Sequence, residues 1–273
     1  MTVAPPPPSA PPVEPLRSAV DAGVATLTLA SPKDRNALSL QMINLLTVTL
    51  ADLAEDKRVR VIVLTAEGPA FSGGHNLKEM QAHRNDPDRG EEFFDHLFAR
   101  CATLMQAIVA LPKPVIAAIE GVATAGGCQL AASCDLVVAG EKAQFGLSGV
   151  NAGLFCSTPL VAVGRAVSRK AALELALTGD LIGAEDALRI GLVNRVVPAG
   201  RALDAALALA RRIAEHSAAS IAMGKRTFHA QIGEPLDVAY ALASKTMVEN
   251  LAEADCVEGM AAFIEKRKPR YAP

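Results

Sequence analysis

Two stretches of this chain are built alike, and they restrict its fold more than any other feature. "VIVLTAEGPAFSGGHNL" (61–77) and "VIAAIEGVATAGGCQL" (115–130) each run from an apolar strand-like segment through a loop to Gly-Gly and on into a helix. A glycine pair before a helix admits positive φ and close backbone approach. It also presents oriented N–H groups at the positive end of the helix. One such turn is ordinary punctuation. Two of them in one chain can supply the two N–H donors of an oxyanion hole.

The remaining segments extend the pattern. "VATLTLAS" (24–31), "VRVIVLTAEG" (59–68), "KPVIAAIEGV" (113–122) and "CDLVVAG" (134–140) read as strands. "SLQMINLLTVTLADLAED" reads as an amphipathic helix with Ser39 as its N-cap. "PAFSGGHNLKEM" is a loop leading into a short helix, and "QAHRNDPDRG" (81–90) a mobile polar loop. "EEFFDHLFARCATLMQAIVAL" is helical up to Pro112. "SRKAALELALTG" is a helix between a Ser168 cap and Gly179, and "GAEDALRIG" repeats the arrangement up to Gly191. From 201 the chain is almost wholly helical and rich in Ala and Leu, and no fixed-period repeat is present. The organisation expected is a mixed α/β body over 16–200 and a helical region over 201–273.

Composition removes several function classes. A chain of 273 residues, 51% hydrophobic and 21% charged, with net charge −2, has a soluble globular composition and no electrostatic reason to bind nucleic acid or an anionic membrane. No apolar run reaches about 18 residues without a charge or a Gly/Pro break, so no membrane span is expected. Five unpaired-looking cysteines suggest free thiols in a reducing compartment. The start, "MTVAPPPPSAPPVEP", is proline-rich and expected to be a disordered or polyproline tail over 1–15. It has neither a secretory h-region nor the arginines of a mitochondrial presequence, and the expected location is cytoplasmic.

The chain resembles the crotonase (enoyl-CoA hydratase/isomerase) superfamily from about residue 16 to 270. "FSGGHNLKEM" resembles that family's first glycine element, and "IEGVATAGGCQLAASCDLVVAGEKAQFG" its second. "LTGDLIGAEDALRIGLVNRVVP" and "GMAAFIEKRKP" match two further family segments. "GVNAGLFCSTP", "AASCD" and "SGGHNLKE" resemble one subgroup, the enoyl-CoA hydratase domain-containing protein 3 type. The resemblance implies an α/β crotonase (ClpP-like) fold, a spiral of ββα turns with a C-terminal helical trimerisation region. It implies a homotrimer or dimer of trimers. It also implies an acyl-CoA lyase or isomerase of fatty-acid metabolism, with no cofactor beyond the coenzyme A thioester itself.

Residue by residue, the resemblance makes the backbone N–H groups of His75 and Gly126 the oxyanion donors. The backbone around Ser72, Gly74, Asn76 and Leu77 would meet the adenine end of coenzyme A. Lys33, Arg35 and Lys266 would meet its phosphates, although a lysine taken singly is more often solvated surface charge. Phe263 would line the same cleft from a neighbouring subunit. No task falls on the side chain of His75.

The chain departs from the family at the proton machinery. The two hydratase glutamates fall on Gln129 and Gly149, and neither residue can carry a proton. Few substitutes stand nearby. Cys156 and Ser157 lie where the acyl pocket is expected, but a cysteine among apolar residues is usually an inert thiol. Cys128 and Cys134 have no metal spacing and read as packing. Asp135 reads as structural, Glu120 as a loop tether, and Glu79 as a solvated helix face. His83 and His96 have no paired ligand. Three readings stay open: an enzyme on acyl-CoA thioesters, a thioester-binding protein without turnover, and a scaffold with a vestigial cleft. The two glycine elements and the lysines argue against the third.

Overall fold

The computed structural model describes residues 14–271. The proline-rich tail expected over 1–15 lies outside them, apart from its last two residues. Strands β1 (Leu16–Asp21) and β2 (Val24–Leu29) form an antiparallel hairpin. It closes through Ala22 and Gly23 at φ +46° and +81°, the pair of positive values that a two-residue hairpin turn needs. Helix α1 (Leu40–Glu55) follows, and the Ser39 side chain caps it by accepting from Met42 N.

Three ββα turns come next. The first is β3 (Val61–Ala66), β4 (Ala70–Ser72), α2 (Leu77–His83) and α3 (Glu91–Ala110). The second is β5 (Val115–Ile119), β6 (Val122–Thr124) and α4 (Gly126–Ser133). The third is β7 (Leu136–Gly140), β8 (Gln144–Gly146), α5 (Ser157–Ala166) and α6 (Arg169–Thr178). Strand β9 (Leu181–Gly183), helix α7 (Ala184–Arg189) and strand β10 (Arg195–Val197) complete the body. The first strand of each turn joins a six-stranded sheet ordered β1-β2-β3-β5-β7-β10, and the second joins a four-stranded sheet ordered β4-β6-β8-β9. This is the expected spiral of ββα turns.

Side-chain alternation divides the larger sheet between two cores. Ile62, Leu64, Ala117 and Ile119 face the main core with α1 and α3, while Val61, Val63, Ile116 and Ala118 face the other way. Helix α8 (Ala202–Ala214) covers that second face with Ala202, Ala206, Leu209 and Ala210. The helical region after 201 thus begins inside the body. Helices α9 (Ala218–Gln231) and α10 (Leu236–Leu251) contain no buried residue, and α11 (Ala254–Ile264) buries only Ala262. The Asp135–Lys225 pair, at 2.7 Å, ties α9 to the body. No helix among the described residues is long and apolar enough to cross a membrane.

One local expectation needs correction. The loops expected before each Gly-Gly contain short strands, Ala70–Ser72 and Val122–Thr124, since the partners that make them strands lie far along the chain. Residues 81–83 end α2, and 84–90 are turns and a bend. There the His83 ring stacks on Phe93 with centroids 3.6 Å apart, and the Asp88 carboxylate accepts from Gly90 N and Glu92 N at the start of α3.

Candidate functional site

The two Gly-Gly turns meet at one end of the smaller sheet. Strands β4 and β6 are parallel neighbours, so the loops leaving them run side by side. Gly74 stands at φ +87°, and a Cβ built on it would lie 2.9 Å from Gly126 N and 3.1 Å from Ala125 Cβ. Only glycine fits that backbone and that space. A Cβ on Gly127 would lie 2.1 Å from the Ser72 carbonyl oxygen, so the first turn of α4 rests directly on β4. Ala125 makes the bend between β6 and α4 at φ +49°, a strained value for a residue with a side chain. Its N–H donates to Gly146 O at 2.9 Å and holds the bend.

Hydrogen bonds fix the first turn in the same way. Leu38 N donates to Gly74 O at 2.8 Å, Gly73 N to Arg35 O at 2.9 Å, and Gly74 N to Ser72 Oγ at 3.2 Å. Among the described residues, the N–H groups of His75 and Gly126 have no protein acceptor. Gly126 opens α4, where an amide has no partner inside the helix and the dipole is positive. The site therefore presents two fixed, unspent amides from adjacent turns.

The side chain of His75 lies over this end of α4. Its Nδ1 would be 3.4 Å from a Cβ built on Gly126, and its ring meets Phe98 of α3 edge-on, with centroids 5.1 Å apart. Among the described residues, His75 Nε2 is the one buried side-chain nitrogen or oxygen without a hydrogen-bond partner. Burial lowers the imidazole pKa to about 4, so the ring is neutral near pH 7.

Neither position of the missing glutamates offers acid/base chemistry. Gln129 is 3% exposed, and its Oε1 accepts a weak bond from Cys101 Sγ of α3 at 3.9 Å. Gly149 lies in a 3-10 turn (Ser148–Ala152), and its N–H donates to Cys156 Sγ at 3.3 Å. A Cβ there would lie 2.3 Å from Leu154 O and 2.7 Å from Cys156 Sγ. Beside these positions the hydroxyls of Thr124 and Ser148 share a 2.7 Å hydrogen bond, which sequence reasoning missed. The available signal was that Ser148 adjoins Gly149 and Thr124 precedes the second Gly-Gly.

The expected coenzyme A residues separate into two groups. Lys33 and Arg35 are exposed on the short turn whose Arg35 carbonyl accepts from Gly73 N, so they gather with Ser72, Gly74, Asn76 and Leu77 around the first Gly-Gly. The Asn76 side chain is spent on capping α2, where it accepts from Lys78 N and Glu79 N, and Leu77 is exposed. Phe263 and Lys266 lie at the end of α11, which packs on α9 and α10. Phe263 is 86% exposed, and within one chain no hydrogen bond or ion pair among the described residues links either residue to the glycine turns.

The other candidates are structural. Glu79 Oε2 accepts from Leu40 N at the start of α1, a cap rather than a solvated face. Glu120 accepts from Gly200 N and Ala202 N, which makes it the expected tether. Asp135 accepts from Val115 N beside its Lys225 partner. All five cysteines are free. Burial pushes the Cys101 thiol up to about 11 and Cys128 up to about 12, and raises Cys134 and Cys156 as well, so none of these four is a ready nucleophile. His96 is exposed. No group of three metal-ligating side chains occurs among the described residues.

Comparison with known proteins agrees with this architecture. The sequence profile described as "Enoyl-CoA hydratase/isomerase" matches residues 19–273. The chain is 49% identical to the mitochondrial enoyl-CoA hydratase domain-containing protein 3 of Xenopus laevis, over 90% of this chain and 82% of that one. It superposes on the crystal structure of enoyl-CoA hydratase from Mycobacterium smegmatis with TM-score 0.90 and 48% identity, covering 94% of this chain and 98% of that one. Human enoyl-CoA hydratase domain-containing protein 3 gives TM-score 0.89 and 43% identity, covering 94% and 100%. The Xenopus relative, like those from rat and human, carries "mitochondrial" in its name, and this overturns the expected cytoplasmic location. That expectation rested on free thiols and on a start without arginines.

Proposed function

The chain belongs to the enoyl-CoA hydratase/isomerase (crotonase) family, and on that premise we propose that it binds acyl-CoA thioesters at the His75 and Gly126 amides. The observation that carries the reading is the pair of N–H groups without a protein acceptor, on two turns that touch at Gly74 and Gly126. A thioester oxygen placed between them accepts two hydrogen bonds, which polarise the carbonyl and favour an enolate over the neutral thioester. Lys33 and Arg35 stand at the same turn for the phosphates. No cofactor is needed beyond the thioester.

Hydration of a double bond needs more than this. A positioned proton-transfer group contributes about 10²–10⁴-fold, and Gln129 and Gly149 supply none. Gly149 is packed so tightly that the turn has no space for a carboxylate. The proposed activity is therefore thioester binding with enolate stabilisation and little or no hydratase turnover. The second reading, a thioester-binding protein without chemistry, shares every contact and differs only in turnover.

The apolar surface of α9–α11, with Phe228, Leu236, Tyr240, Met247 and Phe263 exposed, suits a homotrimer or a dimer of trimers in which Phe263 and Lys266 reach a neighbour's cleft. Calorimetry with acetyl-CoA and crotonyl-CoA, a crotonyl-CoA hydration assay and light scattering test the reading together. Saturable heat, hydration near background and a mass above the 28.4 kDa monomer are expected. No heat at millimolar thioester would refute the binding, and a monomer at micromolar concentration would refute the shared site.

A further inference from the structure

We infer that Asn36 is a positioning residue: through the strap 35–38 it aims and polarises the His75 N–H that meets the thioester oxygen. The inference rests on the acyl-CoA reading above and adds a determinant that lies outside both glycine turns.

The strap follows the short 3-10 turn Pro32–Asp34 and is held in an unfavourable backbone. Arg35 and Asn36 stand consecutively at φ +54° and +50°, left-handed values that cost free energy in residues with a side chain. Such strain persists only where the surroundings over-determine it, and it clusters at ligand clamps. Here the Asn36 side chain supplies the restraint. It is fully buried, its Oδ1 accepts from Ser31 N at 2.8 Å, and its Nδ2 donates to Glu67 O at 2.9 Å and Ala70 O at 2.8 Å. One side-chain amide thus ties the strap to the loop before β4 and to β4 itself, the strand that runs into the first glycine turn.

Two residues further on, Leu38 N donates to Gly74 O at 2.8 Å. That carbonyl belongs to the same planar peptide unit as the His75 N–H. In a trans peptide the C=O and N–H point in opposite directions, so pinning the carbonyl to the strap aims the N–H away from it. The two preceding units are held as well, by Gly73 N on Arg35 O and Gly74 N on Ser72 Oγ. A hydrogen bond accepted at the carbonyl also strengthens the N–H as a donor, on the order of 10–30%. The Gly126 amide is treated alike, since the Ala125 carbonyl of its peptide unit accepts from Gln129 N at 3.0 Å. The strap reaches the second turn too: Leu38 Cδ1 lies 3.3 Å from a Cβ built on Gly126. A staple that served only the loop before β4 needs the bonds to Glu67 and Ala70. It has no use for a left-handed pair that delivers Leu38 to both donors.

The test is the infrared spectrum of crotonyl-CoA, ¹³C-labelled at its carbonyl and bound to the full-length protein, with calorimetry beside it. Asn36→Gly keeps the left-handed backbone without steric cost and removes the clamp. It should melt lower than wild type and bind crotonyl-CoA about threefold to tenfold more weakly, the scale of one hydrogen bond. It should also lose about half of the downward carbonyl shift, because one of two donors is no longer aimed. An ester in place of the Ala37–Leu38 amide leaves the Asn36 side chain intact and removes the Leu38 N–H. It should lose the same part of the shift. Lys113→Met, which deletes the ammonium that accepting carbonyls of Leu53 and Asp56 share at the end of α1, should lower the melting temperature and keep the full shift. That variant separates positioning from stability. A full wild-type shift in folded, ligand-bound Asn36→Gly or in the ester variant would overturn the inference, as would an equal loss of shift in Lys113→Met. In those cases the acyl-CoA reading stands. If Asn36→Gly does not fold, the ester variant decides alone. If crotonyl-CoA does not bind wild type, or its carbonyl does not move on binding, the acyl-CoA reading falls and the inference falls with it.

Discussion

The α-carbon of Gly74 lies against the backbone nitrogen of Gly126, so close that a methyl group on Gly74 would stand 2.9 Å from it. This contact joins the two glycine turns and sets the spacing of their amides. Gly74→Ala must both abandon a φ of +87° and push the second turn away. We expect a loss of roughly 2 kcal/mol or more in urea unfolding, with thioester binding abolished at temperatures where the variant is still folded. An alanine variant that binds as wild type does would show that the turns are not coupled.

The pH dependence of stability should carry the signature of the buried imidazole. His75 titrates near 4 in the folded chain and near its ordinary 6.5 when unfolded. Between those values the unfolded chain holds more protons, so stability falls as pH drops from 6.5 toward 4. Above 6.5 both forms are neutral and the effect vanishes. Comparing wild type with His75→Phe by urea unfolding at pH 7 and pH 4.5 isolates this residue. Wild type should lose roughly 2–3 kcal/mol more than the variant. Equal losses would mean that the ring is solvated.

Restoring both family carboxylates should fail. Gly149 faces the Leu154 carbonyl at 2.3 Å from any Cβ, so Gly149→Ala is expected to lower the melting temperature by several degrees, and Gln129→Glu with Gly149→Glu to disrupt the 148–156 turn. A folded double variant that hydrates crotonyl-CoA would show that the turn yields easily.

How far the sequence was legible depends on how local each feature is. The Ser39 cap, the Gly179 stop and the runs at β3, β5 and β7 were readable because their causes lie within a few residues. The pair of glycine turns was readable as two strand-to-helix bends because each motif is contiguous. Strands β4, β6 and β8 were missed, being three residues each and defined by partners far along the chain. Glu79 read as a solvated face because its partner, Leu40 N, is 39 positions away. The closed space at Gly149 and the unpartnered nitrogen of His75 depend on neighbours from other elements, and no pattern within either segment reveals them.

Lys225 is the clearest case of a distant anchor. It lies on α9, its side chain is 8% exposed, and it meets Asp135 together with the carbonyls of Ile108 and Lys113. Lys225→Ala leaves the carboxylate without its cation and two carbonyls without their donor. A cost of about 3–5 kcal/mol is expected in urea unfolding, with faster amide exchange in α9 and α10 than in α8. A loss below 1 kcal/mol would mean that water replaces the ammonium there.

The most direct measurement of the proposed oxyanion site is the infrared spectrum of crotonyl-CoA labelled with ¹³C at its carbonyl, free and bound. Two hydrogen bonds from His75 and Gly126, as proposed, would weaken the C=O bond. The labelled stretch should therefore move to lower wavenumber on binding, while 3-hydroxybutyryl-CoA accumulates no faster than in buffer. A bound thioester whose carbonyl stretch does not move would contradict the account.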